Sequence, residues 1–446
     1  MGVPLSKTKP MPPGAPQTME YASRGPLGGS AALPGDKSIS HRALMLAALA
    51  PGRSRIEGLS KGSDVAATAA ALEAMGVGIE ASGTTVEVDG VGIGALLQPE
   101  GALDMGNSGT SARLLMGLVA SHPIRATFTG DSSLCRRPMR RVIEPLRRTG
   151  AEFIAAPGDR LPLTVRGVCP SVPALHRLEI ASAQVKSALL LAALNTPGVT
   201  RVVEPVPTRD HSERLLRRFG AEIAVEGLEI SVRGEAALKP QALRIPGDAS
   251  AAAFLIVAAL VVPGSALRLE GVGVNPMRAG LIEQLRAMGG DIRLENQRDV
   301  DGEPVADIIV RHSALRAVDV PIHRIPSMID EFPIFFVAAA FAEGTSRAEG
   351  LSELRVKESD RISAMAEGLR AVGAKARESD DGLAIDGSGG RPLAGGAVID
   401  PELDHRVAMS FAVAGLHARS PVTVADMSPV DTSFPGFAAT LDSLAS

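Results

Sequence analysis

Cysteine is scarce in this sequence, neither sign of charge dominates, and no apolar run is long enough to cross a membrane. The two cysteines, Cys135 and Cys169, are 34 residues apart and belong to no CxxC pair, so the sequence indicates neither a disulfide framework nor a zinc site and fits a reducing cytoplasm. Lys and Arg number 46 and Asp and Glu 50, for a net charge of -4, without the block of like charges that is typical of a nucleic-acid or membrane surface. The apolar runs are Ala-rich and interrupted by Gly or Pro, and they fall short of the roughly 18 residues of a membrane span.

The length and the apolar content predict more than one core. A chain of 446 residues with 45% hydrophobic residues is long enough for two domains, since domains average about 100 to 200 residues. Residues 1–30 are rich in Pro, Gly and Ser and lack the apolar segment of a signal peptide. We therefore predict a flexible leader over residues 1–30.

One sequence pattern recurs six times along the chain. A polar cluster is followed by an Ala- and Leu-rich helix, a Pro or Gly turn, a short strand, a second helix that ends at a glycine, and another strand. Neighbouring closing glycines lie 69 to 84 residues apart, a spacing that is too irregular for a solenoid and typical of a duplicated unit. These glycines are Gly76, Gly150, Gly220, Gly289 and Gly373, and the sixth copy ends at the C-terminus.

Each repeat alternates helices with short β-branched strands, which predicts an α/β fold. The first helix of each repeat is apolar on nearly all sides, so we expect these helices inside the domain, with the sheets and second helices outside them. Similar Pro-Gly-Asp turns precede the first and fourth repeats, and we place the crossovers between lobes at these turns, near residues 33–36 and 244–248. We predict two similar lobes of three repeats each: residues 37–242 form the first lobe, and residues 31–36 with 243–446 form the second, which contains both termini. Because paired lobes already bury the repeat faces, we expect a monomer.

Polar residues stand at equivalent points of the copies, where each first helix is predicted to begin. Ser, Asn and Asp cap exposed backbone N–H groups there, and the helix dipole makes the same place an anion site. The residues are Lys37, Ser38, Asn107–Thr110, Ser182, Gln184, Asp330, Glu331 and Asp404–Arg406. The second helices begin in the same way, with Arg137, Arg209 and the segment 357–361.

Structural interpretations of these residues stay open. Ser38, Asn107, Ser182 and Asp404 are ordinary N-caps in one interpretation, and capping and binding coincide in the other. Asp330 and Glu331 would also favour a helix dipole without any ligand. Lys357, Glu358 and Arg361 have helical spacing that fits a solvated salt-bridge face, and His41 and His405 are interpreted as structural hydrogen-bond partners.

If the repeats pack side by side, these helix starts converge from both lobes on one cleft that holds many cations. The expected cations are Lys37, Arg42, Arg137, Lys186, Arg209, Lys357, Arg361 and Arg406. Like charges so close together disfavour one another, so we predict ligands that carry phosphates and carboxylates. Two such ligands would draw the lobes together, and we expect closure on binding.

Seven motifs follow one another along the chain: PGDKSISHR, GNSGTSARL, RRP, SAQVKSALLLAAL, SMIDEFP, RVKESDR and DHRVAMSF. Together they closely resemble the 3-phosphoshikimate 1-carboxyvinyltransferase (EPSP synthase) family, over essentially the whole chain after the leader. The fold of that family, two lobes each of three βαβαββ units in an inverse α/β barrel arrangement, agrees with the number of repeats.

The resemblance implies a transferase of the shikimate pathway for chorismate and aromatic amino acids. It would move the enolpyruvyl group of phosphoenolpyruvate to the 5-hydroxyl of shikimate 3-phosphate through a tetrahedral intermediate and release phosphate. No metal or cofactor is implied. The expected partners are these small-molecule substrates alone, without nucleic acid or membrane, in the cytoplasm.

The resemblance also implies a role for individual residues, matched motif by motif. Contacts to shikimate 3-phosphate are implied for Lys37, Ser38, Arg42, Ser182, Ala183 (through its backbone), Gln184, Arg209, Asp330 and Lys357. Contacts to phosphoenolpyruvate are implied for Lys37, Gly109, Arg137, Gln184, Glu358, Arg361 and Arg406. Catalysis is implied for Asp330, which would take the 5-hydroxyl proton, and for Glu358 and Lys37, which would deliver a proton to the methylene carbon and assist the leaving phosphate.

Some positions bear on inhibition and on alternative functions. Some glyphosate-insensitive relatives carry Ala where this chain has Gly109, so we expect glyphosate to inhibit this protein. At position 432 many relatives have a Lys and this chain has Thr432, to which we give no catalytic role. A sister family, UDP-N-acetylglucosamine enolpyruvyl transferase, uses a loop cysteine whose position here is Ser132, three residues before Cys135. That activity and a catalytically silent phosphosugar-binding paralogue are the alternatives.

Overall fold

A computed structural model describes residues 3–4 and 16–445 of the chain. Within these ranges the chain forms two compact lobes. The first lobe includes Gly35–Ile245 and Val300–Glu303; the second includes residues 16–34, Pro246–Asp299 and the chain from Pro304 onward. Both changes of lobe near residues 34 and 246 fall in the Pro-Gly-Asp turns, whereas the return of residues 300–303 to the first lobe has no counterpart in the repeat pattern.

The helices and strands of the described residues follow one another as the repeats predict. The α-helices are α1 (Lys37–Leu49), α2 (Ser63–Ala74), α3 (Gly109–Ala120), α4 (Ser132–Arg136), α5 (Arg140–Arg147), α6 (Ala183–Leu194), α7 (His211–Arg218), α8 (Ala249–Val261), α9 (Gly280–Ala287), α10 (Ile325–Met328), α11 (Phe332–Phe341), α12 (Arg361–Ala371), α13 (His405–Gly415) and α14 (Phe437–Leu444). The strands are β1 (Val3–Pro4), β2 (Met19–Tyr21), β3 (Gly28–Ala31), β4 (Gly52–Glu57), β5 (Gly78–Ser82), β6 (Thr85–Gly90), β7 (Leu103–Asp104), β8 (Arg125–Thr129), β9 (Glu152–Ala156), β10 (Arg160–Arg166), β11 (Leu175–Arg177), β12 (Val199–Val203), β13 (Ile223–Glu226), β14 (Glu229–Arg233), β15 (Ala242–Arg244), β16 (Ala266–Gly273), β17 (Asp291–Val300), β18 (Glu303–Arg311), β19 (Thr345–Ala348), β20 (Lys375–Ser379), β21 (Gly382–Asp386), β22 (Val398–Ile399) and β23 (Val422–Val424). Short 3-10 helices span Ile322–Arg324, Ser352–Val356 and Ser428–Thr432.

The first helices of the repeats form the interior of each lobe, as predicted. They are α1, α3 and α6 in the first lobe and α8, α11 and α13 in the second. Every residue of α11 is buried, and so is every residue of α8 after its first. Because these helices are apolar on nearly all sides, burying them removes apolar surface from water in every direction, at about 25 cal/mol per Å². The prediction of buried helices covered by sheets and second helices is confirmed.

The sheets repeat one strand order. In the second repeat the order is β7-β8-β10-β9, and in the third it is β11-β12-β14-β13. The outer strand is parallel to its neighbour, and the other two form an antiparallel hairpin. A strand, the first helix, a parallel strand, the second helix and a hairpin make the βαβαββ unit, so the predicted α/β fold class is confirmed.

Strands β3 and β15 each pair within one lobe, whereas the helix that follows each of them in the chain belongs to the other lobe. Strand β3 precedes α1, yet it pairs in parallel with β16 of the fourth repeat. Strand β15 precedes α8, yet it pairs in parallel with β4 of the first repeat. The Pro-Gly-Asp turns therefore carry the chain out of one lobe's sheet and into the other lobe's first helix.

Ordered structure begins earlier than the leader prediction allows. Strands β2 and β3 lie at residues 19–21 and 28–31, where the sequence suggested a flexible leader, and β2 pairs with β23. The composition gave no signal because a short strand such as GGSA is held by backbone hydrogen bonds and needs no apolar side chains. Residues 1–2 and 5–15 of the predicted leader lie outside the described residues.

The first helices of the first lobe come into backbone contact. A methyl group on Gly117 of α3 would lie 2.1 Å from the carbonyl oxygen of Ala188 on α6. Only a residue without a side chain permits this distance, so Gly117 determines how closely α3 and α6 pack. In the second lobe, a methyl group on Gly368 of α12 would lie 2.2 Å from the ring of Phe411 on α13.

We predict that Gly117→Ala destabilises the protein. Overpacking typically costs about 1–3 kcal/mol, and here the neighbour is backbone, which cannot rotate away as a side chain could. Ala favours a helix over Gly by about 1 kcal/mol, which offsets part of this cost, so we expect a net loss. Chemical denaturation measures it, with Gly101→Ala as the matched control because no atom lies within 4 Å of that added methyl group. Equal denaturation midpoints for the two variants would contradict the prediction.

Candidate functional site

In the first lobe, side chains cap the starts of all three first helices. Asp36 caps α1, Ser108 caps α3 and Ser182 caps α6, each by accepting a hydrogen bond from a backbone N–H of the first turn. The capping interpretation was wrong for Ser38 and Asn107: Ser38 lies inside the first turn, and Asn107 precedes the residue that caps α3. The side chains of Ser38 and Asn107 therefore do not serve as caps.

Lys37 is held at the first turn of α1 by a carboxylate. Its Nζ donates a hydrogen bond of 2.9 Å to Asp64 of α2, and the two side chains are 14% and 10% exposed. A cation at a helix N-terminus opposes the helix dipole, so the carboxylate stabilises Lys37 there. The lysine is thus oriented while part of its side chain still reaches solvent.

Arg42 joins α1 to the third repeat. It is buried, and its Nε and Nη2 donate to the hydroxyls of Ser212 at 2.8 Å and Ser187 at 2.7 Å. Its Nη1 donates to the backbone oxygen of Ser38 at 2.7 Å. These bonds fix the starts of α1, α6 and α7 beside one another.

Arg137 reaches the start of α3 and is also buried. It donates to Asn107 Oδ1 at 2.5 Å and to Ser133 Oγ at 3.1 Å, while Asn107 donates to Asp131 at 2.7 Å. A methyl group on Gly109 would lie 3.1 Å from Arg137 Nη1. The absence of a side chain at Gly109 therefore lets the guanidinium approach the helix N-terminus.

Arg113 completes this arrangement, and sequence analysis did not predict it. Its Nη1 donates to Gln184 Oε1 at 2.8 Å, and Gln184 donates to Thr110 Oγ1 at 2.9 Å. The start of α3 is thereby bonded to the start of α6. The signal was present in the motif GNSGTSAR, because Arg113 follows Gly109 by four residues and so shares its helix face.

Lys186 does not belong with the exposed cations expected of a cleft. Its side chain is 1% exposed, and its Nζ lies 2.9 Å from Glu204 Oε2 and 2.7 Å from Glu213 Oε1. Burial raises the pKa of Glu213 above its ordinary value, although the charge of Lys186 acts in the opposite direction. Lys186 is therefore the centre of an internal ion network, which the sequence did not reveal because its neighbours come from distant segments.

The Lys186 network holds the segment that leads to Arg209. Lys186 Nζ donates to the backbone oxygen of Thr208 at 3.2 Å, and the Thr208 hydroxyl donates to Glu204. Arg209 follows directly and is half-buried at the start of α7. The network thus fixes the backbone from which the Arg209 side chain extends.

In the second lobe, Arg361 connects the starts of α12 and α13. It is 1% exposed; its Nε donates to Asp404 at 2.7 Å and its Nη2 donates to Glu358 at 2.6 Å. Burial lowers the pKa of Arg361, but the carboxylates of Asp404, Glu358 and Asp330 raise it above its ordinary value. Asp404 also caps α13, as the capping interpretation held.

Asp330 lies among several cations just before α11. Its carboxylate oxygens are 3.4 Å from Lys357 Nζ, 3.6 Å from Arg361 Nη1 and 3.9 Å from Arg278 Nη1. Its backbone oxygen accepts a hydrogen bond of 2.9 Å from Arg406. Asp330 is therefore held both through its side chain and through its main chain.

Ser250, Arg278 and Glu331 contact the charged residues Asp330 and Arg406 in the second lobe. Ser250, in the first turn of α8, donates its hydroxyl hydrogen to Glu331 and accepts from Arg278 Nη2 at 2.7 Å and Arg406 Nη2 at 3.2 Å. The motifs did not indicate Ser250 or Arg278, and they indicated Glu331 only as a residue that favours the helix dipole. Arg278 precedes α9, a second helix, so its place in the repeat was the available signal.

His41 has the structural role expected of it. It is buried with Nδ1 2.7 Å from Thr68 Oγ1. Burial, then the charges of Lys37 and Arg42, hold the pKa of His41 well below its usual range. The imidazole is neutral at neutral pH and forms part of the packing beneath the first turn of α1.

Within each lobe, the residues predicted from the sequence lie at neighbouring helix starts. The first lobe holds Lys37, Ser38, Arg42, Gly109, Arg137, Ser182, Ala183, Gln184 and Arg209; the second holds Asp330, Lys357, Glu358, Arg361 and Arg406. Among residues 16–445, no group of three or more His, Cys, Asp and Glu side chains is arranged to hold a metal ion. In the same part of the chain, no helix has both the length and the apolar character needed to span a membrane.

The chain is similar to proteins of one family along nearly its whole length. Residues 22–441 match the family described as EPSP synthase (3-phosphoshikimate 1-carboxyvinyltransferase). The 3-phosphoshikimate 1-carboxyvinyltransferase of Sphingopyxis alaskensis is 61% identical over 434 residues, which cover 95% of this chain and 97% of that protein. The one of Novosphingobium aromaticivorans is 60% identical over 432 residues, covering 95% and 98%. A solved structure of EPSP synthase from Acinetobacter baumannii is 42% identical and superposes with a TM-score of 0.85, covering 97% of this chain and 98% of that one.

We predict that Lys186→Met destabilises the first lobe at neutral pH. Removing one partner of a buried ion network typically costs about 3–5 kcal/mol, because the remaining charges are left uncompensated. The raised pKa of Glu213 means that the folded protein holds this proton more tightly than the unfolded chain does. The stability that this protonation contributes is fully present below the ordinary Glu value of 4.5 and is lost as the pH rises through the folded-state pKa. Because the charge of Lys186 lowers the pKa of Glu213, removing Lys186 raises that pKa further, so the variant gains more stability than the parent as the pH falls toward 4.5 and its deficit should shrink.

Thermal or chemical unfolding at a series of pH values measures this deficit. Lys239→Met, at an exposed lysine of the same lobe, is the matched control and should leave stability within about 0.5 kcal/mol of the parent. A Lys186→Met protein as stable as the control at pH 7 would rule out the ion network as a stabilising element.

Proposed function

The chain belongs to the EPSP synthase (3-phosphoshikimate 1-carboxyvinyltransferase) family, and we propose that it transfers the enolpyruvyl group of phosphoenolpyruvate to the 5-hydroxyl of shikimate 3-phosphate. The products are 5-enolpyruvylshikimate 3-phosphate and phosphate, and the reaction belongs to the biosynthesis of chorismate and the aromatic amino acids. The observation that carries the proposal is the gathering of cations at the first-helix starts of each lobe. Free backbone N–H groups, the helix dipole and arginine forks all favour phosphates and carboxylates at such places.

We assign the two substrates to residues by their motifs. Shikimate 3-phosphate binds Lys37, Ser38, Arg42, Ser182, the backbone of Ala183, Gln184, Arg209, Asp330 and Lys357. Phosphoenolpyruvate binds Lys37, Gly109, Arg137, Gln184, Glu358, Arg361 and Arg406. The hydrogen bonds from Arg113 to Gln184 and from Arg137 to Asn107 support this assignment, because they orient groups at the starts of α3 and α6 before any ligand arrives.

The addition step uses charged side chains that neighbouring residues already hold in place. Glu358 donates a proton to the methylene carbon of phosphoenolpyruvate, which leaves positive charge at C2, and the carboxylate so formed stabilises that charge. The oxygen of the 5-hydroxyl bonds to C2 and its proton passes to Asp330, whose carboxylate is 3.4 Å from Lys357 Nζ. The product of this step is the tetrahedral intermediate.

The elimination step restores the double bond. The C2–O bond to the phosphate breaks, phosphate leaves, and the methyl group returns its proton to the Glu358 carboxylate. Lys37, oriented by Asp64 at 2.9 Å, donates to the departing phosphate oxygen. Lys37 and Glu358, which lie in different environments, thus divide between them the proton transfers to the phosphate and to the methylene carbon.

The alternatives are less well supported. In the loop that carries the cysteine of the UDP-N-acetylglucosamine enzymes, this chain has Ser132, and Cys135 Sγ lies 3.4 Å from the backbone oxygen of Gly130.

Cys135 and Cys169 are both free thiols, in keeping with a reducing compartment. We propose a monomer that works in the cytoplasm on small-molecule substrates, without a nucleic-acid or membrane partner.

The activity assay follows phosphate release from phosphoenolpyruvate. We expect release that requires shikimate 3-phosphate and that UDP-N-acetylglucosamine does not support. Asp330→Asn should lower kcat by about 10²–10⁴-fold because it removes the base, whereas Asp319→Asn, at a side chain that is 63% exposed, should match the parent. Release with the UDP-sugar alone would establish the sister activity, and binding of shikimate 3-phosphate without any release would establish a silent paralogue.

We predict that glyphosate inhibits the protein and that Gly109→Ala weakens the inhibition. The added methyl group would lie 2.9 Å from Arg113 Nη1 and 3.1 Å from Arg137 Nη1, so the two guanidinium groups must shift where the inhibitor would bind. We expect the inhibition constant to rise about tenfold, which corresponds to about 1.4 kcal/mol. Inhibition curves for the parent, Gly109→Ala and the Gly101→Ala control check this, and a parent enzyme unaffected by millimolar glyphosate would contradict it.

A further inference from the structure

Arg278 occupies a place in the fourth repeat that is equivalent to three predicted substrate-binding arginines. It lies two residues before α9, just as Arg209 lies two residues before α7. Arg137 and Arg361 stand at the starts of the corresponding second helices in the second and fifth repeats. No substrate contact is assigned to Arg278, and its surroundings indicate a different use.

The guanidinium of Arg278 is directed into the protein. Its side chain is 3% exposed. Its Nη2 donates to Ser250 Oγ at 2.7 Å and to Asp248 Oδ1 at 3.4 Å. Its Nη1 lies 3.5 Å from Glu331 Oε1 and 3.9 Å from Asp330 Oδ2. One rigid fork thus contacts the starts of both α8 and α11.

Arg406 shares two of these acceptors. It donates to Ser250 Oγ at 3.2 Å and lies 3.6 Å from Glu331 Oε1. A serine hydroxyl offers one donor and two acceptor sites, and Ser250 uses all three, on Glu331, Arg278 and Arg406. The position of the Arg406 guanidinium therefore depends on groups that Arg278 holds in place.

We propose that Arg278 is a positioning residue for the transfer reaction: it acts on the Asp330 carboxylate through its charge, at a distance of 3.9 Å, and on the Arg406 guanidinium through Ser250 and Glu331. This inference rests on the proposed function, in which Asp330 is the base and Arg406 binds phosphoenolpyruvate. Arg278 itself touches neither substrate. It acts by keeping both groups in reacting geometry, where a misplacement of about 1 Å costs roughly 100-fold in rate.

The test measures kcat, the KM for each substrate and the pH dependence of kcat in Arg278→Met, Arg278→Lys and Ser250→Ala. In Arg278→Met we expect the KM for phosphoenolpyruvate to rise about tenfold or more and kcat to fall about 100-fold. The KM for shikimate 3-phosphate should change less, because most of its assigned contacts lie in the first lobe.

The pH profile separates positioning from general loss of structure. Lys357 and Arg361 also face the Asp330 carboxylate, and Arg406 is bonded to its backbone oxygen; removing the charge of Arg278 from this group favours the protonated form of Asp330. The acidic limb of the kcat profile should therefore move to higher pH in Arg278→Met. The acidic limb should stay in place in Arg278→Lys, which keeps the charge, and in Ser250→Ala. The Ser250→Ala variant should show a higher KM for phosphoenolpyruvate and otherwise unchanged constants.

Arg293→Met is the matched control, since this arginine of β17 in the same lobe is 62% exposed and should behave as the parent. Folded Arg278 variants with the control's constants and pH profile would overturn the inference. Should Arg278→Met fail to fold, Ser250→Ala decides, and an unchanged KM for phosphoenolpyruvate in that variant would overturn the inference as well. If the parent and Arg293→Met show no turnover, the proposed function has failed rather than the role of Arg278.

Discussion

Buried helices that are apolar on nearly all sides confine the polar chemistry of this protein to their ends. Helix α11 consists only of Phe, Pro, Ile, Val and Ala, and α8 carries one polar side chain, Ser250, in its first turn. A polar side chain in the body of such a helix costs free energy unless a partner reaches it, as Arg42 of α1 reaches Ser187 of α6. The first turn differs, because its backbone N–H groups need acceptors. Capping residues, cations and their carboxylate partners therefore collect there in each repeat.

Placing cations at helix N-termini is unfavourable unless anions accompany them. The helix dipole is positive at this end, and burial removes the water that would screen the charge. The second lobe meets both costs with carboxylates: Asp404 and Glu358 lie 2.7 Å and 2.6 Å from Arg361. The same contacts hold the guanidinium groups in fixed directions. A ligand that carries phosphate or carboxylate then meets donors that need little reorganisation, which is the condition for electrostatic catalysis.

Periodic and local features of this fold were predictable from the sequence. The Ala- and Leu-rich segments predicted the buried first helices, and Ser182 and Asp404 cap helices where the sequence placed them. Features that depend on tertiary pairing were not predictable. Nothing local indicates that β3 pairs with β16, that Lys186 lies between Glu204 and Glu213, or that Arg278 contacts Ser250 and Glu331. Each of these depends on which distant segment becomes the neighbour. Motifs and repeats identify the residues of a site, whereas the contacts by which neighbouring groups orient them become visible only in the folded chain.

The central claim is that the first-helix starts of the first lobe form a phosphate site. The most direct measurement is a crystal structure of the protein with shikimate 3-phosphate. It should show the phosphate group at the N-terminal ends of α1 and α6, within hydrogen-bond distance of Lys37, Ser38 or Ser182. A phosphate group bound elsewhere, with both helix ends in contact only with solvent, would contradict the account.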